Sequence, residues 1–108
     1  MKKAEDNDEI KSLVSLDRMI HEPARLMIVA VLFVIEEADF TFIMAQTGLS
    51  WGNLSSHMSK LEEAGYIEVE KSFVKRRPHT MLRLTEMGRS SFMEYRRSMN
   101  QILNGLPN

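Results

Sequence analysis

The stretch Thr47–Ile67, TGLSWGNLSSHMSKLEEAGYI, constrains this chain more than any other. It predicts a turn, a polar-faced helix over about Trp51–Ala64, a glycine stop and the start of a strand. Ser50 can cap the helix by accepting an amide of its first turn, and Gly65 can end it in a left-handed conformation. Leu54, Met58 and Leu61 recur at spacings of four and three, so one side must be pinned to a core. The rest of the helix offers Gly52, Asn53, Ser55, Ser56, His57, Ser59 and Lys60. These side chains are small or hydrogen-bonding, and such a surface can lie against base edges and phosphates in a major groove. Trp51, at the helix start, reads as packing on the preceding helix or as reaching the nucleic-acid backbone.

Upstream, Thr41 can cap a short helix over about Phe42–Gln46 that stops at Gly48. Two short helices joined by a glycine-containing turn are the helix-turn-helix signature. Before them, Pro23 suits the first turn of a helix that runs to about Glu37. That helix is apolar almost all round, which predicts a central core helix. Asp39-Phe40-Thr41 reads as a short extended link, and Glu36, Glu37 and Asp39 as a solvated helix end. Leu13, Leu16, Met19 and Ile20 predict a further short amphipathic helix, and the polar segment 1–9 a frayed end.

Downstream the period changes. Tyr66, Ile67, Val69, Phe73 and Val74 alternate with polar residues as in a strand, and Thr80–Leu84 alternates again. Between them Lys75-Arg76-Arg77-Pro78-His79 predicts a basic turn, with Pro78 kept out of a strand centre. Thr85 can cap a last helix, residues 85–104, whose stripe is Phe92, Tyr95, Met99, Ile102 and Leu103. The whole is an α+β, mostly α, single domain of 108 residues. Its expected architecture is a winged helix-turn-helix with a two-stranded wing hairpin and extra terminal helices.

Net charge is only −1, but its distribution is uneven. Lys71, Lys75, Arg76, Arg77, Arg83 and Arg89 face Glu86 alone within 71–89, a local +5 that leaves about −6 for the remainder. Polarised charge suits a protein presenting one face to a polyanion. Lys75, Arg76, Arg77 and His79 are the candidate wing contacts, able to hold phosphates or enter a minor groove.

The absence of cysteine excludes a disulfide framework, cysteine-ligated zinc and thiol redox sensing. The spacing of His21, His57 and His79 matches no metal-ligand pair. No catalytic triad, phosphate-cradling glycine loop or convincing carboxylate pair is present, so the expectation is a non-enzymatic protein without metal or cofactor. No apolar run is long enough for a membrane span, and the N-terminus lacks the pattern of a signal peptide, which together point to the cytoplasm. Nine methionines read as flexible core filling. The terminal stripes, Leu13, Leu16 and Ile20 with Phe92, Tyr95, Met99, Ile102 and Leu103, would expose apolar surface on a monomer. They are expected to bury each other across a two-fold axis, forming a homodimer.

The segments LDRMIHEPARLMIVAVL and DFTFIMAQTGLSWGNLSSHMSKLEEAGYIEVEKSFVKRRPHTMLRLTEMGR resemble the small winged-helix transcriptional regulators related to the MarR and ArsR families. The resemblance covers about Leu16–Tyr95 and rests on the TGL…GNLS pattern, the LE.AGY motif and Gly88-Arg89 followed by Phe92. It implies a dimer built from terminal helices, a recognition helix over about Trp51–Ala64 and wing contacts from Lys75, Arg76 and Arg77. The chain departs from it at Met58, Met81 and Ser59, the last a position where relatives often carry a lysine able to contact phosphate. The metal-binding motif of ArsR sensors is absent. The expected function is a sequence-specific regulator binding double-stranded DNA as a homodimer on a palindromic operator, with room for a small-molecule effector of unspecified identity. The rival reading is a winged-helix protein-interaction module, for which Glu62 and Glu63 on the same helix speak.

Overall fold

Each of the four longer helices begins where a side chain accepts one of its free first-turn amides. The computed structural model describes residues 8–107. After a short helix α1 (Asp8–Ser12) and a 3-10 turn (Leu13–Ser15), α2 spans Pro23–Ile35, with Glu22 accepting from Arg25 N at 2.8 Å. Strand β1 is Glu37–Asp39. Asp39 then caps α3 (Phe40–Thr47) through Phe42 N at 2.7 Å. Ser50 caps α4 (Trp51–Glu63) through Asn53 N at 3.2 Å. Strands β2 (Ile67–Val74) and β3 (Arg77–Leu84) form a hairpin, and Thr85 caps α5 (Glu86–Asn104) through Gly88 N at 2.9 Å. Gly48 and Gly65 take left-handed φ of 74° and 83°, which stops α3 and α4 where the sequence predicts.

The fold is a winged helix with a three-stranded antiparallel sheet in the order β1-β3-β2. The third strand is the expected extended link, shifted two residues toward the N-terminus. Glu37, Ala38 and Asp39 pair with Arg83, Leu82 and Met81. The backbone leaving α2 needs hydrogen-bond partners, and the free edge of β3 supplies them. Phe40 and Thr41 therefore belong to α3, and its cap is Asp39 rather than Thr41. Glu37 and Asp39 are likewise not a solvated helix end.

The core joins Ile28, Val29 and Leu32 of α2, Ile43 of α3, Leu54 and Leu61 of α4, and Leu82 of β3, all fully buried. The reading of α2 as a helix buried all round needs correction: Val34 is 77% exposed, and Met27 and Ile35 also reach the surface. The methionines divide. Met58 is buried and Met19, Met44 and Met99 pack against the core, whereas Met27, Met87 and Met93 are exposed.

The N-terminal region differs most from expectation. Asp8 and Glu9 open α1, and residues 1–7 of the expected frayed segment lie outside the described residues. The predicted Leu13–Ile20 helix does not form. Asp17 Oδ1 accepts the amides of Met19 (2.9 Å) and Ile20 (3.2 Å), a local bond that competes with helix and turns the chain. The turn drives Leu16 and Ile20 into the protomer's own core beside Phe92, Tyr95 and Ile102. The two terminal stripes thus bury each other largely within one chain, and those five residues are unavailable to a partner.

Candidate nucleic-acid interface

Helix α4 is anchored by the inward side chains Leu54, Met58 and Leu61. The opposite face leaves Gly52, Asn53, Ser56, Ser59 and Lys60 exposed, as the spacing predicts. Glu62 and Glu63 share the exposed C-terminal turn. Trp51 packs on the preceding helix, its ring 5.8 Å from that of Phe40 between centroids, and stays 67% exposed.

Ser55 and His57 sit on the two flanks rather than on the outer face. Two residues apart on an α-helix, they point in roughly opposite directions. Ser55 lines a cleft of about 290 Å³ shared with Asp39, Phe40, Trp51, Lys71, Pro78 and His79. His57 turns toward the start of α2, where its Nδ1 lies 3.2 Å from Arg25 Nη1 and 3.8 Å from Glu22 Oε1. The outer face expected of His57 therefore belongs to its neighbours Ser56 and Ser59.

The wing is tighter and longer than its sequence suggests. Val74 pairs with Arg77, so the loop is only Lys75 and Arg76. Both hold positive φ, 51° and 66°, as a two-residue type I′ hairpin demands. Neither is the asparagine or glycine that such turns favour, so the tip is strained and carries two cations at the outermost point of the hairpin. Pro78 lies in β3 opposite Phe73, contrary to its expected place in the turn. It is tolerated because β1 pairs only with Met81–Arg83 and leaves the tip of β3 with one neighbour. His79 is drawn to the wing base, its Nε2 3.6 Å from Asp39 Oδ2.

The basic stretch also divides. Arg83 bonds Glu37 at 3.1 Å and lies 3.5 Å from Glu70, and the pairing with Glu37 raises the pKa of its guanidinium. Arg89 stacks on the Phe33 ring, 4.9 Å from its centroid. Lys71, Lys75, Arg76 and Arg77 remain, all exposed and none paired with a carboxylate among the described residues. In the sequence Lys71 only adds to the local charge, yet it stands on the same hairpin and lines the cleft beside α4. The three histidines are dispersed, His21 bonding Tyr95 Oη at 2.7 Å, and among the described residues no cluster of metal-ligating side chains forms.

A helix-turn-helix with an uncommitted polar face, flanked by a cationic wing, defines a DNA-binding regulator of the winged-helix class. Comparison with known proteins agrees. Residues 24–103 match the family model described as "winged helix DNA-binding domain", and the chain belongs to that family. An uncharacterized protein of Methanocaldococcus jannaschii is 35% identical over 78 residues, covering 72% of this chain and 85% of its own. The structure of a transcriptional regulator homologue from Pyrococcus horikoshii OT3 superposes with a TM-score of 0.83 at 28% identity, over 94% of this chain and 99% of that one. A MarR-like transcription regulator from Bacillus cereus shares the fold at 19% identity, with a TM-score of 0.66 over 89% of this chain and 72% of its own. No helix among the described residues is long and apolar enough to cross a membrane.

Proposed function

We propose that the protein regulates transcription as a homodimer that reads a palindromic operator sequence-specifically. The observation that carries this is the pairing of two surfaces: the exposed row Gly52, Asn53, Ser56, Ser59 and Lys60 on α4, and four unpaired cations on the adjoining wing. Within the α4 row Ser56 and Ser59 supply hydrogen bonds to base edges, and Lys71, Lys75, Arg76 and Arg77 hold phosphates. Occupancy of the operator then controls polymerase access.

Dimerisation is supported by what the protomer leaves uncovered after its stripes are buried. Ile10, Leu13, Val14 and Leu103 are exposed at the end where α1 meets the C-terminal turn of α5, with Glu9 beside Gly105. Met99 is half-buried on the same helix. A palindromic operator read by two copies requires their α4 helices to stand about one DNA turn, ~34 Å, apart. A small-molecule effector would fit the cleft between α3, α4 and the wing, where a ligand could move the wing relative to the recognition helix.

Fluorescence anisotropy on a duplex pool at two salt concentrations tests the core of this reading. Affinity should fall steeply with salt, since released counterions drive phosphate contact. Absence of binding to any duplex at low salt would refute it.

A further inference from the structure

On the side of α4 away from the wing, Arg25 occupies the first turn of α2. A cation there opposes the helix dipole, which favours negative charge at an N-terminus. Among the described residues no carboxylate forms a salt bridge with it. The guanidinium is nevertheless held firmly. Its Nε donates to Met19 O at 2.7 Å, Nη2 to Arg18 O at 3.4 Å, and Nη1 to His57 Nδ1 at 3.2 Å. An arginine only donates, so His57 accepts at Nδ1 and carries its ring proton on Nε2. These bonds occupy three of the five N–H groups of Arg25 and leave two for another acceptor. Glu22, which caps α2 through Arg25 N and lies 3.8 Å from His57 Nδ1, already sets one carboxylate at this helix start, and the two free N–H groups of Arg25 remain for a further acceptor.

The surroundings extend the site. Asn53, His57 and Lys60 follow one another at spacings of four and three along this flank of α4. Arg18, exposed, adds a cation from the turn that leads into α2. We infer that Arg18, Arg25 and Lys60, with Asn53 and His57, form a second phosphate-contact site for duplex DNA. It would grip the backbone on one side of the recognition helix while the wing grips it on the other. The inference rests on the DNA-binding reading and deepens it. It explains how a recognition helix with a single lysine on its exposed face could be held in a groove.

The experiment measures anisotropy against salt for wild type, Arg25→Gln and the double variant Arg18→Gln/Lys60→Gln. The double variant removes side chains for which no hydrogen bond is seen among the described residues, so its fold should persist even if Arg25→Gln unfolds. Each lost phosphate contact should shallow the log–log salt slope by about 0.9, and affinity should fall roughly tenfold, on every duplex alike. The loss should add to that of a wing variant, because the two sites share no partners. A wild type that binds no duplex overturns both readings. Wild-type binding with slope and affinity unchanged in the folded variants overturns the flank site alone. A loss confined to one operator sequence identifies a base contact and overturns the phosphate assignment.

Discussion

Tyr66 donates its phenolic hydrogen to Asp17 Oδ2 at 2.6 Å, tying the residue that leaves α4 for β2 to the turn that precedes α2. The same Asp17 uses its other oxygen to shape that turn, so one carboxylate fixes the entrance to α2 and the exit of the recognition helix.

Burial, then the hydrogen bond to Asp17, pushes the Tyr66 pKa from 10.0 up to about 12. Folded Tyr66 therefore holds its proton more tightly than the unfolded chain does. Its contribution to stability is complete below pH 10 and is lost as pH rises through about 12. Tyr66→Phe should cost about 1 kcal/mol at neutral pH. The gap to wild type should close in denaturant titrations between pH 10 and 12. Tyr95 shifts in the same direction by burial, so a weaker alkaline loss should remain in the variant.

Gly88 permits the closest approach of the five glycines. A Cβ added there would meet the Tyr66 carbonyl oxygen at 2.1 Å, a backbone atom that cannot step aside. Gly88→Ala should destabilise by about 3 kcal/mol or more, read as a fall in Tm. Gly52→Ala is the contrast. Nothing lies within 4 Å of its added methyl, and at this first-turn position of α4 the change should stabilise by about 0.5 kcal/mol.

At the wing tip, Lys75 and Arg76 hold positive φ where asparagine and glycine are favoured. Lys75→Asn/Arg76→Gly should raise stability by about 1 kcal/mol by relieving that strain. The same substitutions should weaken DNA binding on most sequences and shallow its salt dependence by about two contacts. Higher Tm with lower affinity is the signature of a strained, functional tip; unchanged affinity removes Lys75 and Arg76 from the interface.

Leu103 is 54% exposed at the proposed dimer patch, whereas Ile102 beside it is buried in the protomer. Leu103→Glu should shift sedimentation toward monomer with little change in the circular dichroism spectrum. Ile102→Ala should instead destabilise the protomer by about 2 kcal/mol or more. A Leu103→Glu variant that stays dimeric places the interface elsewhere.

The signals that act within a few residues were legible in the sequence. Ser50 and Thr85 cap, Gly48 and Gly65 stop, and Leu54, Met58 and Leu61 turn inward, because capping, positive φ and helical period are local properties of the chain. From these the helix-turn-helix, the hairpin and the polar face of α4 all follow. What needed the tertiary structure was the choice of partner. β1 exists because β3 offers an edge, and His57, set on the flank by helical spacing from Leu54 and Leu61, meets Arg25 of α2 there. Leu16 and Ile20 turn into their own protomer because Asp17 breaks the helix that would have carried them outward. Periodicity shows that a face must be buried; which surface covers it depends on groups tens of residues away, and those are brought together only by folding.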